Sequence, residues 1–209
     1  MKRNRKIHAA VTDLEDETLM DAGGAVLSIQ SATVDLPESE LEMLWSASSL
    51  ERLARSYWSY LTRITIGLIR VIYTPTGRDV VLLFRPFRLL TFSTPDYQLA
   101  ADGGSVTWRI AGGILVSRPN EGQLKITVQR IDSKLPGQSE QHAAVRVDVE
   151  VRNFYPAIAA RISNHLYSWT QSKIHVLVTY GFLRHLAKGK LAESVTGRFA
   201  EQGTTEPKS

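Results

Sequence analysis

Lys173 is the side chain whose type and position most need a chemical explanation. A helix over residues 154–187 gathers Tyr155, Ile162, Leu166, Trp169 and Tyr180 on one apolar stripe. At about 100° per residue, Lys173 falls at the centre of that stripe. An ammonium there needs an anionic partner, a water-filled cavity or a path for its head to solvent. In a cavity it would meet a ligand carboxylate or phosphate; snorkelling, it would meet water. His165 flanks the same stripe, where it either lines a cavity or packs as an ordinary histidine. His165, His175 and His185 recur every ten residues. On one helix that spacing spreads them around the axis, so they cannot share a metal ion.

Aromatic residues supply the apolar counterpart. Trp108 shares a strand face with Val106 and Ile110, and Trp169 lies on the helix expected to face it. With Tyr155 they either wall an apolar pocket or pack as core.

Other chemistries are excluded or unsupported. The sequence has no cysteine, which removes disulfides, thiolate nucleophiles and cysteine-bound zinc. No G-x-S-x-G, H-E-x-x-H or glycine-rich phosphate loop occurs. Gly112-Gly113 lies inside a strand pattern and reads as a bulge. Asp148 and Glu150 fall on the solvent side of their strand. The expectation is therefore no metal, no cofactor and no assignable catalytic residue.

The elements that position these residues follow from periodicity. AVLSIQSATVDL (25–36) reads as a first strand, and Pro37 breaks it. A short helix over ESELEMLWS and a second over SLERLARSYWSYLTRI follow, the second capped by Ser48 or Ser49. TIGLIRVIY, RDVVLLF, RLLTFS, Tyr97–Ala101, SVTWRIAGGILVS, QLKITVQRI and VRVDVEVRN then read as strands. In the last of these, Val145, Val147, Val149 and Val151 take the core face; Arg146, Asp148, Glu150 and Arg152 take the water face. Pro156 suits the first turn of the final helix. That helix carries a second apolar patch, Tyr167, Ile174, Val178 and Phe182. Either a neighbouring segment covers it, or it serves a homodimer or a transient membrane contact.

The chain has 209 residues, 43% of them hydrophobic, enough for one sizeable core. Its net charge of +4 is small and partly confined to the opening MKRNRK, which argues against a nucleic-acid partner. MKRNRK is followed by acidic residues rather than an apolar core, and TIGLIRVIY is too short to span a bilayer. A soluble, cytoplasmic protein is expected. Residues 1–24 read as a flexible lead-in, 25–188 as one domain and 189–209 as a flexible tail.

Strand, two helices, a run of antiparallel strands and a long helix make an order that resembles the START/Bet v 1-like superfamily, the helix-grip or SRPBCC fold. The resemblance covers roughly residues 25–188 and lies in the order of elements. It implies an α+β fold in which a curved antiparallel sheet grips the C-terminal helix around a ligand cavity. The first functional reading is binding of an apolar or amphipathic small molecule, lipid- or polyketide-like. Trp108, Tyr155 and Trp169 would be walls, with His165 and Lys173 as polar contacts. The alternatives are a cyclase- or hydrolase-like enzyme using the same cavity, and an interaction protein whose cavity is filled by side chains.

If Lys173 meets an anionic ligand, Lys173→Met should leave the fold intact. It should cost about 1.5–3 kcal/mol of affinity, tenfold or more, because one charge-assisted hydrogen bond is lost. Calorimetric titration with an acidic ligand checks this; unchanged affinity removes Lys173 from the site.

Overall fold

The computed structural model describes residues 11–38, 47–83, 87–131 and 142–157. They form one mostly antiparallel open sheet of nine strands and one helix. The strands are β1 (Val11–Met20), β2 (Val26–Pro37), β3 (Ile69–Thr74), β4 (Gly77–Leu82), β5 (Arg88–Ser93), β6 (Asp96–Ala100), β7 (Gly103–Gly112), β8 (Gln123–Ile131) and β9 (His142–Phe154). The helix, α1, is Ala47–Ile64. The path across the sheet is β1-β2-β9-β8-β7-β5-β4-β3, with β6 also pairing β7. The strand before α1 thus lies beside the last strand, and that long-range β2–β9 pairing joins the two ends of the fold.

Period-two patterning sets the two faces. On β9, Val145, Val147 and Val149 are fully buried; on β8, Leu124, Ile126 and Val128 are buried beside them. This is the expected alternation. The opposite side departs from expectation, because Arg146, Asp148 and Glu150 are half-buried rather than exposed. They are drawn into a polar ladder across three strands. Arg146 donates to Asp148 at 3.0 Å and to Glu15 of β1 at 2.8 Å, while the Ser31 hydroxyl of β2 donates to Asp148.

The same ladder bears on a second difference. Within the expected flexible lead-in, residues 11–20 form the edge strand β1, in antiparallel register with β2 from Val11↔Val34 to Met20↔Val26. The hairpin turn is closed by Asp21, whose carboxylate accepts the Ala25 N–H at 2.8 Å, and by Gly24 at φ +82°. The charged sequence of β1 suits an edge whose side chains all face water.

Helix α1 covers the inner face. Leu50, Leu53, Ala54, Tyr57 and Trp58 are buried in one cluster with Val34, Val80, Phe92, Trp108, Ile126 and Val147. Gly104 permits the close seating, since a Cβ there would stand 2.8 Å from Leu50 Cδ1. The strand expected over 65–73 begins only at Ile69, because Thr65–Leu68 finish the helix. The strand expected through Gly112-Gly113 instead ends at Gly112. Gly113 turns away at φ +124°, where a Cβ would lie 2.3 Å from the Leu89 carbonyl oxygen.

The short helix expected at 38–46 falls almost wholly outside the described residues. So does the long C-terminal helix from residue 158 onward, with its second apolar patch. Its expected first turn is described and is extended instead. Phe154 ends β9, Pro156 bridges Val116, and the Ala157 N–H donates to the Leu115 carbonyl at 2.9 Å.

Leu53→Ala should destabilise the protein by about 2–5 kcal/mol, because it opens a cavity between α1 and the sheet. Leu14→Ala, on the exposed side of β1, should cost roughly 0.5 kcal/mol or less. Urea titrations of the two variants check the difference.

Candidate functional site

The inner face carries one charged residue that its strand pattern buries. On β4, Arg78 and Val80 point inward while Asp79 and Val81 point outward. Register then surrounds Arg78 with rings. It lies between Tyr73 of β3 and Phe92 of β5, its cross-strand partners. Its guanidinium carbon is 5.0 Å from the Tyr73 ring centroid and 5.0 Å from that of Trp108 on β7. The Tyr97 hydroxyl of β6 hydrogen-bonds the same guanidinium. Arg78 is only 5% exposed.

From α1, Trp58 stacks edge-on against Trp108 with centroids 5.6 Å apart, and also meets Phe92 at 5.1 Å. Arg55, one helical turn from Glu51, pairs with it at 2.9 Å and lies 5.2 Å from the Tyr73 ring centroid. The nearby acid, Glu51, is therefore engaged by Arg55, and among the described residues no carboxylate pairs with Arg78.

The electrostatics follow from this packing. Burial pushes the Arg78 pKa down, while the neighbouring tyrosines Tyr73 and Tyr97 partly restore it. Burial pushes the Tyr73 and Tyr97 hydroxyls up, against a smaller downward pull from Arg78. Both tyrosines are neutral at pH 7, so they solvate the cation without neutralising it.

Hydrogen bonding completes the picture. Arg78 Nη1, Trp58 Nε1 and Trp108 Nε1 are buried and without an acceptor among the described residues. All three belong to this one aromatic cluster, and all three are donors. Buried donors without partners cost stability, so such a cluster is complementary to an acceptor-rich or anionic group. It contains no described nucleophile–base pair. Among the described residues no group of three metal-ligating side chains occurs either.

A second depression lies on the outer face, where β5 and β6 both pair with β7. It measures about 420 Å3 and is lined by Ser93, Asp96, Thr107, Arg109, Gln123 and Lys125. It is open and polar, and its charged groups are on the solvent side of their strands. Nothing in it resembles the orphaned donors of the inner face.

Two of the residues singled out from sequence lie within the described structure. Trp108 is fully buried and faces Trp58. Tyr155 stands past the end of β9, half-buried, with the Arg118 guanidinium over its ring at 4.1 Å. The ring of Tyr155 thus meets Arg118 rather than Trp108. His165, Trp169 and Lys173 lie outside the described residues. Sequence reasoning missed Arg78 and Trp58. The signal for Arg78 was the inward parity it shares with Val80, and for Trp58 its place on the apolar face of α1.

No protein-family model matches this chain, and no curated protein matches it. Among solved structures, the crystal structure of human STARD10, a START domain, aligns over 84% of this chain and 73% of its own, at 7% identity and a TM-score of 0.35. A likeness of that size is one of backbone path at most. It assigns neither a ligand nor a residue role.

Replacing the unpaired cation by an apolar side chain of similar length should stabilise the ligand-free protein. Arg78→Met is expected to raise unfolding free energy by about 1–3 kcal/mol. Urea melts of the two proteins check it; a loss of stability would show that the guanidinium is already fully paired.

Proposed function

We propose that this protein binds an amphipathic small molecule on the inner face of its sheet, without a metal or nucleotide cofactor and without catalysis. One observation carries the reading: Arg78 is buried among rings with no carboxylate partner among the described residues, beside two indole N–H groups that also lack acceptors. An acceptor-rich or anionic head group would satisfy all three. The apolar body of the ligand would lie against the side chains of the inner face and, in part, displace contacts with α1.

In this proposal Trp108 is both a wall and a donor. Tyr155 and Trp169 remain proposed walls, and His165 and Lys173 remain proposed polar contacts, contributed by the C-terminal segment. Two cations, Arg78 and Lys173, would then address the same anionic head from opposite sides. A cytoplasmic setting, where such ligands are carried between membranes or enzymes, belongs to the same proposal.

The test compares a medium-chain fatty acid with the alcohol of equal chain length. Titrated calorimetrically into the full-length protein, the acid should bind about tenfold or more tightly, the value of one charge-assisted hydrogen bond. Arg78→Met should abolish that preference while retaining binding of the alcohol. Equal affinities in the parent protein, or no binding of either compound, would refute the proposal. Native mass spectrometry of the freshly purified protein should show an added small-molecule mass that Arg78→Met reduces.

A further inference from the structure

One end of the sheet presents a set of apolar side chains to solvent. There α1 ends and β3 begins, β4 gives way to β5, and β7 gives way to the segment 113–118. Backbone hydrogen bonds tie these connections together. The Leu83 N–H donates to the Leu68 carbonyl at 2.6 Å, Leu82 to Phe87 at 2.9 Å, and Ile114 to Arg88 at 3.0 Å. Ile66, Leu68, Leu82, Leu83, Phe87 and Ile114 all lie at this end, and all are exposed. Large apolar side chains scattered singly over a surface need no explanation, but six on adjoining loops do.

The backbone at the tip adds an independent argument. Helix α1 closes with paired bonds, Gly67 N–H to the Thr62 carbonyl at 2.8 Å and Ile66 N–H to the Arg63 carbonyl at 3.1 Å. This is a Schellman closure, and it puts the residue after the helix in the left-handed region. Glycine takes that position at no steric cost. Here it is Ile66, at φ +53° and 92% exposed. A β-branched residue in this region is strained, and its side chain contributes almost nothing to the core. Leu83, at φ +59°, repeats the pattern on the adjoining loop. Folding alone gives no reason for either side chain. A surface that receives them does.

Charge identifies that surface. Across residues 61–70, 82–83, 87–90 and 113–118 there are four arginines, Arg63, Arg70, Arg88 and Arg118, and no acidic residue. Apolar tips ringed by arginines match a bilayer with anionic head groups, where the side chains enter the interface and the guanidinium groups meet phosphates. We propose that this end of the sheet docks onto anionic membrane surfaces, with Ile66, Leu83 and Phe87 entering the lipid interface. The surface is separate from the Arg78 cluster, and the proposal holds or fails independently of the ligand reading.

The test uses the full-length protein and vesicles of phosphatidylcholine, with and without phosphatidylserine. Sedimentation should recover the protein with the anionic vesicles, less with the neutral ones, and less again as salt rises. Ile66→Gly should weaken binding about tenfold, the loss expected for one aliphatic side chain leaving an apolar environment. The same substitution should raise the melting temperature by about 2–4 °C, because it relieves the left-handed backbone. Phe87→Ser should weaken binding similarly with little change in melting. No sedimentation with either vesicle, or variants that bind as well as the parent, would overturn the proposal. A lowered melting temperature for Ile66→Gly, or a concentration-dependent dimer that both variants dissolve, would also overturn it. Either result would mean that protein, not lipid, covers this surface.

Discussion

The seating of α1 on the inner face of the sheet is the constraint on which the rest depends. It needs an apolar face on the helix, an unbroken row of inward β-branched residues on the strands, and a glycine where helix and sheet come closest. Leu50 over Gly104 marks the near end of that contact, and Trp58 against Trp108 and Phe92 marks its middle. The β2–β9 pairing supplies the floor beneath it, because β2 brings Val34 and Ala32 into the same cluster as Val145 and Val147. Burial of large aromatic side chains contributes most of the cohesion here, at roughly 25 cal/mol per Å2 of apolar surface removed from water.

That seating also creates the chemistry. Arg78 occupies an inward position on a strand that the helix covers, so its charge is held by rings instead of water. Tyr73, Tyr97 and Trp108 provide quadrupoles and a hydroxyl, which soften the desolvation of a guanidinium without cancelling its charge. A buried cation balanced only in this way leaves the fold short of one anion. The two indole N–H groups point to the same deficit. A ligand head group resolves it without altering the strand register.

Strand identities were legible wherever one face was buried, because a period of two allows only one register. VRVDVEVRN and QLKITVQRI are the clearest cases, and β2, β4, β5 and β6 fall within a residue or two of the expected ranges. The edge strand β1 was not legible, since VTDLEDETLM buries neither face and signals pairing only through the Asp21–Gly24 turn. The beginning of β3 was misread because Thr65–Leu68 are β-branched or apolar, yet local bonds close the helix through them. For the site, the sequence directed attention to residues on the last helix. Trp108 alone of that set proved central to the described cluster. Arg78 was hidden because a lone arginine in a strand usually snorkels, and only cross-strand neighbours reveal that it cannot.

The composition of β1 bears on how copies of this protein meet. An edge strand offers an unpaired row of amide and carbonyl groups to any similar strand, including the same strand of another molecule. Here that row runs through Asp13, Glu15, Asp16 and Glu17. A second copy approaching edge to edge would bring one carboxylate-rich strand against another before any backbone bond could form. The ladder continues inward through β2 and β9, where partners are already satisfied, and is closed to its own kind on the outside. Sheet growth from molecule to molecule therefore stops at β1, and the protein can be concentrated without this edge seeding fibrils.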